Sequence, residues 1–292
     1  MAEFFFSAFA DEAADDLAGQ IAALKRNGIG YIEPRFIDKK GILTLTEEEL
    51  FDMKKQLDAA DIKVGSLGSP IGKYPIEDPF EIHLEDFKKA LRAAKILGTD
   101  KIRMFSFFHK ETSLADARAE VIHRLSVMAE MAKAEGITLC HENESHIYGE
   151  QPTEVKDILE SVPALGGIFD AANFVMEGAN AMEGARATLP SLRYIHIKDA
   201  HHASQTILPA GEGEGQILDV LDLVNETYDR PIMLTLEPHL NQFTAFASID
   251  THELKGKYSF KDNTESFDFA VKALEALLTK GGYKKENGRW KK

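Results

Sequence analysis

The sequence predicts an α/β fold, a single (β/α)8 TIM barrel. Short β-branched or aliphatic runs alternate with amphipathic segments along the whole chain, the pattern of repeated strand and crossover-helix units. Eight such units share 292 residues, about 36 each, close to the roughly 30 that a strand and its helix require. In the second half the runs are apolar until their last residue, as a buried parallel strand is when its C-terminal tip faces a site.

The first strand is expected in FFFSAF, over Phe4 to Phe6, followed by a helical pattern over Glu12 to Arg26. IGYIEP supplies the second strand and Thr46 to Ala60 the second helix. Glu47 to Glu49 stand in its first turn, where carboxylates meet the positive end of the helix dipole. IKVGSL precedes a helix over Phe80 to Leu97, KIRMFSF a long one over Leu114 to Glu135, and GITLCHE one over Thr153 to Ser161. GGIFDAANF, LRYIHIKD and PIMLTLEPH complete the strands, with helices over Ala181 to Thr188, Ile217 to Thr227 and Thr264 to Lys280. Gly28, Gly98 and Gly136 fall where helices should stop and suit the left-handed position after a helix end.

An open doubly wound sheet is the competing fold. It would place a glycine-rich phosphate turn after the first strand, where this chain has FSAFADEAADD. No linker or composition shift marks a second domain, so residues 1–282 are assigned to the barrel. Residues 283–292 form a basic tail that is expected to extend into solvent.

Four metal-friendly side chains occupy the tips of strands five to eight: Glu142, Asp170, His196 and Glu237. Barrel enzymes keep their chemistry at that face. Three carboxylates and an imidazole make an oxygen-rich site for one divalent ion, with Mn²⁺ favoured over Mg²⁺, Co²⁺ and Zn²⁺. Moving hydrogen between neighbouring carbons of a hydroxy-ketone passes through an enediolate, which a cation chelating both oxygens stabilises. Glu142 and Glu237 are the candidate acid/base pair. Glu33, Arg103, Asn173 and Lys198 are the candidate substrate-binding residues. A buried ion pair with Arg35 is the alternative for Glu33, and neutralising the carboxylates is the alternative for Arg103 and Lys198. His141 alternates away from Glu142 and is assigned to packing or to supporting a ligand rather than to ligation. Asp199 and His201 are candidates for a second cation. PAGEGEGQ resembles a phosphate cradle, although its glutamates favour a substrate-site turn leading into a helix. Long connections after strands three and eight, the latter carrying Phe243 and Phe246, are expected to cover the barrel mouth and exclude water, the alternatives being local packing of a long loop or a homo-oligomer contact.

Composition bounds the partners. Thirty-four basic against 48 acidic residues give a formal charge of −14, which opposes general attraction to nucleic acid or an anionic membrane. The lone Cys140 rules out an internal disulfide and lies within a strand, as a buried, inert thiol does. MAEFFFSAF has Glu3 where a signal peptide carries a cationic region, and no run reaches the roughly 20 apolar residues of a membrane span. A soluble, cytoplasmic protein is expected.

Several stretches carry a family resemblance: YIEPR, GSPIGK, IRMFSF, HENESHIYGEQP, FDAANF, HIKDA, PAGEGEGQ and LEPHL, in that order. The chain resembles the sugar phosphate isomerase/epimerase group of the xylose isomerase-like barrel superfamily. The resemblance implies a divalent metal on Glu142, Asp170, His196 and Glu237, with both glutamates doubling as acid/base groups. The chain departs from ketose epimerases of that superfamily at Asn173, where they commonly carry a histidine.

The expected function is a metal-dependent isomerase or epimerase of a small sugar or related keto-carbohydrate. The alternative is a dehydratase of a keto-polyol such as an inosose, which uses the same proton abstraction but expels a hydroxyl. An apurinic-endonuclease-like hydrolase is disfavoured by the charge and by Asn173, and a non-enzymatic sugar-binding barrel by the four ligand types together.

Overall fold

The computed structural model describes residues 1–109, 112–244 and 257–292; Phe246 lies outside the described residues. The barrel strands are β1 Glu3–Ala8, β2 Tyr31–Ile32, β3 Lys63–Val64, β4 Lys101–Met104, β5 Thr138–Glu142, β6 Gly166–Asp170, β7 Leu192–Ile197 and β8 Pro231–Leu236. The helices are α1 Leu17–Arg26, α2 Glu47–Ala59, α3 Phe80–Leu97, α4 Leu114–Ala134, α5 Pro152–Ser161, α6 Ala171–Met176, α7 Ala181–Thr188, α8 Ile217–Thr227 and α9 Asn263–Lys280. A continuous parallel ladder runs β1-β8-β7-β6-β5-β4. The other arc is shorter but hydrogen-bonded throughout. Glu33 N–H donates to Ala8 O at 3.0 Å, Tyr31 pairs with Lys63, and Leu67 bridges to Ile102 in parallel.

Local chemistry sets the element ends. Thr46 and Glu49 form a capping box on α2, satisfying two backbone donors reciprocally. Gly98 takes φ +75° at the end of α3, and Gly28 and Gly136 take φ +64° and +72° after α1 and α4. The first helix starts later than its pattern suggests, at Leu17, because the Asp16 side chain accepts from Gly19 N–H and caps it there. Ala10–Glu12 forms a separate 3-10 turn with Asp11 and Glu12 buried. The sixth strand likewise stops at Asp170, and the residues after it turn at once into α6.

The core has two parts. The larger lies between strands and helices, and includes Phe4, Leu24, Ile32, Phe87, Leu125 and Leu274, each fully buried. Each such side chain contributes roughly 1.5–3 kcal/mol. Within the barrel, Cys140, Ile168, Tyr194 and Met233 pack together with Phe5 against them.

The tail corrects an expectation. It does not extend into solvent: Lys284–Glu286 and Arg289–Lys291 form a hairpin whose second strand pairs antiparallel with β1, Phe4 opposite Trp290. Trp290 is buried and stacks on Phe6 at 6.0 Å between ring centres. Lys291 and Arg289 both pair with Glu3, so the basic run lies against the one carboxylate that opens β1.

Candidate metal centre

Parallel register places the four strand tips side by side. Asp170 lies opposite His196 across β6 and β7, and Thr235 pairs with His196 so that Glu237 follows one step beyond β8. One ligand atom from each of Glu142, Asp170, His196 and Glu237 falls within 4.8 Å of the others, and all four residues are buried. His196 Nδ1 lies 2.8 Å from Glu142 Oε1 and 3.3 Å from Glu237 Oε2. Asp170 divides its oxygens. Oδ1 accepts from Asn173 N–H at 3.0 Å and caps α6, while Oδ2 has no hydrogen-bond donor among the described residues and faces Lys198 Nζ at 3.5 Å. Glu237 does the same: Oε1 is held by Arg35 at 2.8 Å, while Oε2 has no well-formed hydrogen bond among the described residues and faces His196 Nδ1 at 3.3 Å and Lys198 Nζ at 3.7 Å.

These orphaned oxygens test the fit of a cation. Six buried carboxylates (Asp11, Glu12, Glu33, Glu142, Asp170, Glu237) gather around three Lys/Arg cations, Arg35, Arg103 and Lys198. The excess of negative charge is what a divalent ion would offset, and the oxygen-rich donor set suits one. Burial, reinforced by Glu237 and Glu142, pushes Asp170 up to about 7 despite Lys198. Burial opposes charge on His196, yet Glu142 and Glu33 hold its pKa well above the usual imidazole range. Glu237 is held well below the carboxylate range, because Lys198, His196 and His239 outweigh its burial.

The family model of the xylose isomerase-like TIM barrel matches residues 21–252. The chain belongs to the xylose isomerase-like TIM barrel family. No curated protein matches it in sequence. Among solved structures it is similar to the IOLI protein with a binding zinc atom (TM-score 0.72, 15% identity, 94% of this chain and 98% of that one). It is also similar to L-ribulose 3-epimerase (TM-score 0.71, 17% identity, 97% and 96%). Against a xylose isomerase-like TIM barrel/4-hydroxyphenylpyruvate dioxygenase fusion protein (TM-score 0.70, 14% identity) it covers 96% of this chain but spans only 43% of that one.

Within this xylose isomerase-like barrel, the remaining residues singled out in the sequence take distinct places. Arg103 Nη1 lies 3.3 Å from Glu142 Oε2 and 3.9 Å from Glu237 Oε1, and Lys198 Nζ lies 3.5 Å from Asp170 Oδ2. Both flank the cluster. Asn173 turns inward, its amide donating to Asn143 O at 2.8 Å, while the Asn143 side chain clasps the Asp170 backbone through both its amide atoms. Glu33, expected to bind substrate, is fully buried behind His196. It accepts from Tyr194 Oη at 2.7 Å and lies 3.3 Å from His196 Nε2, because its strand sends it into the barrel interior. The alternative reading, an ion pair between Glu33 and Arg35, is not what forms. Arg35 instead makes two bonds to Asp11, at 3.0 and 3.1 Å, and a third to Glu237.

Asp199 is no second cation ligand. Its two oxygens accept from the backbone N–H groups of Ala200, Gly211, Gly213 and Gly215 at 2.9–3.0 Å. The glycine-rich turn is therefore a cradle, but one filled by the protein's own carboxylate. A Cβ on Gly213 would come within 2.3 Å of Asp199 Oδ1, which explains the glycine. His201 is held outside by Ser204, at 2.9 Å. His141 points away from the cluster, 2.8 Å from Ser106 Oγ, and burial pulls it down to about 3.

Sequence reading missed Phe9, Asp11, Glu12 and His239. Asp11 and Glu12 follow the tip of β1, so the rule that found the other ligands applied to them, but the helical pattern of ADEAADD hid it. His239 takes a left-handed φ of +46°, and its N–H donates to Glu12 Oε2 at 2.7 Å. Phe9 lies between two guanidinium groups, Arg35 at 4.3 Å and Arg103 at 4.8 Å from its ring centre.

Proposed function

We propose that this protein is a divalent-metal-dependent isomerase or epimerase of a small sugar or related keto-carbohydrate, transferring a proton between carbons next to a carbonyl. The observation that carries this reading is the convergence of Glu142, Asp170, His196 and Glu237 within 4.8 Å, with carboxylates left over beside it. Glu142, Asp170, His196 and Glu237 would hold the ion, Mn²⁺ by preference for this donor set. When bound, the ion supplies Lewis-acid polarisation of the carbonyl and neutralises the charge that develops on neighbouring oxygens.

The chain's own residues supply the rest. Each glutamate has one oxygen toward the cluster and one against a guanidinium: Glu142 with Arg103 at 3.3 Å, Glu237 with Arg35 at 2.8 Å. The guanidinium groups fix the direction of both carboxylates, and on Glu237 burial is outweighed by Lys198, His196 and His239, which hold it ionised as a general base must be. Glu237 is the more tightly held, since Arg35 is itself anchored bidentately by Asp11. Glu142, at the longer distance from Arg103, is the freer base. Burial of all these groups excludes water that would reprotonate a carbanion at random. A small carbohydrate is the substrate, and the cytoplasm the expected compartment.

The test is incubation of purified, Mn²⁺-supplemented protein with a panel of keto sugars in heavy water, followed by NMR and mass spectrometry. Isomerisation or epimerisation leaves solvent deuterium in a product of unchanged composition. A product lighter by one water would establish dehydration instead. Asp170→Ala should lose metal and activity together; full metal content in that variant would refute the ligand assignment.

A further inference from the structure

At the end of the barrel opposite the metal centre the interior is not filled. A cavity of about 400 Å³ opens there, bounded by residues that begin the strands: Tyr31 of β2, Lys63 and Val64 of β3, Lys101 of β4 and Pro231 of β8. Barrel interiors are ordinarily closed by packed layers of branched side chains. This volume is in the range of small-molecule pockets. Its floor is apolar. Phe5 and Tyr31 meet at 4.6 Å between ring centres, and Met233 lies across Gly65, where a Cβ would come within 2.3 Å of its Sδ.

The rim has the opposite sign to the rest of the protein. Five basic side chains line the cavity (Lys54, Lys63, Lys101, Arg193, Arg230) against two carboxylates, Asp58 and Asp100. Lys54 is neutralised by Asp58 and Lys101 by Asp100. Lys63, Arg193 and Arg230 have no carboxylate partner among the described residues, in a chain of formal charge −14. Arg230 is set in place by a bond to Leu192 O at 2.6 Å.

Arg193 is aimed there by a backbone irregularity. The β6–β7 register slips between Gly167 and Ile168, pairing Gly167 with Leu192 but Ile168 with Tyr194, so Arg193 is the extra residue of a bulge. A bulge turns a side chain away from the alternation of its strand. Gly166 makes the room. A Cβ at that position would stand 2.3 Å from Arg193 Cγ. A bulge, a glycine facing it and three cations without a carboxylate partner among the described residues, Arg230 resting on the Tyr228 ring at 4.4 Å, are not requirements of barrel closure.

We propose that this cavity is a second binding site, for a small molecule that joins an anionic group, phosphate or carboxylate, to an apolar ring. The ring lies on Phe5, Tyr31 and Met233, and the anion meets Lys63, Arg193 and Arg230. Phenyl phosphate is the probe, titrated into the full chain by calorimetry, with inorganic phosphate in parallel. Wild-type protein and Asp170→Ala should bind phenyl phosphate equally, about tenfold or more tighter than inorganic phosphate, because only the former covers the aromatic floor. The double variant Lys63→Ala/Arg193→Ala, altered at two exposed rim positions, should lose at least about tenfold. Amide resonances of Tyr31, Val64 and Gly65 should shift on titration while those of Asp170 and His196 stay. Undiminished binding by the double variant, loss of binding in Asp170→Ala, equal affinity for the two ligands, or shifts confined to the metal centre would each overturn the assignment. Failure of this site leaves the reading of the metal centre untouched, since the variants lie at opposite ends of the barrel.

Discussion

Glu33 Oε2 lies 3.3 Å from His196 Nε2, on the side of the imidazole opposite the carboxylates that face Nδ1. The ring is thereby held between strands β2 and β5, and Tyr194 fixes Glu33 in turn with a 2.7 Å bond. A carboxylate in that position selects the tautomer whose Nδ1 lone pair is free for an ion and raises its basicity.

Glu33→Gln keeps the volume but replaces an acceptor that His196 and Tyr194 share. Metal affinity should fall by about 10–100-fold, the usual cost of losing such a partner, with the fold intact. Calorimetric Mn²⁺ titration beside circular dichroism checks this. Unchanged affinity would return Glu33 to a packing role.

The tail makes a prediction of the opposite sense to its composition. Trp290 is buried against Phe6, and its strand pairs with β1. Truncation after Gly282 should therefore cost several kcal/mol; burial of a large aromatic alone contributes about 3–5 kcal/mol. Trp290→Ala should reproduce most of that loss in a urea melt. A truncated chain with wild-type stability would show the hairpin to be dispensable.

What was legible in the sequence follows from range. The eight strands, the four tip residues and nearly every helix end could be read because each depends on local periodicity or on a cap a few residues away, as Thr46 and Gly98 illustrate. Glu33, Asp199 and Arg35 could not be assigned, because their roles depend on which distant group arrives: Tyr194 for Glu33, Gly211 to Gly215 for Asp199, Glu237 for Arg35. The tail failed for the same reason. Its charge suggested solvent, but Trp290 finds its partners, Phe4 and Phe6, at the other end of the chain.

Cys140 supplies a pH-dependent check. Burial pushes its thiol up to about 12, with Lys101 and Arg193 offsetting only part of the effect. An unfolded thiol ionises near ~8.5, so folding favours the protonated form. The associated stability is complete below pH ~8.5 and is lost as pH rises from there toward the folded value. Native protein should resist iodoacetamide at pH 8.5 and take up one equivalent in denaturant. Rapid alkylation of the native chain would mean that β5 opens readily.

Glu142 and Glu237 should act as a pair with unequal freedom. Arg35 binds Glu237 Oε1 at 2.8 Å and is locked by Asp11, whereas Arg103 approaches Glu142 at 3.3 Å. Replacing either glutamate by Gln keeps an oxygen for ligation but removes the base, so kcat should fall at least the ~10²-fold typical of general-base loss while metal is retained. The two lesions should differ in kind. If Glu142 abstracts the proton, Glu142→Gln abolishes exchange of the substrate's α-hydrogen with solvent, whereas Glu237→Gln still exchanges it but fails to complete turnover, because abstraction and return are separate steps. NMR in heavy water on an established substrate separates these outcomes. Exchange surviving in Glu142→Gln and vanishing in Glu237→Gln would reverse the roles, and near-wild-type turnover in both would reduce the two carboxylates to ligands.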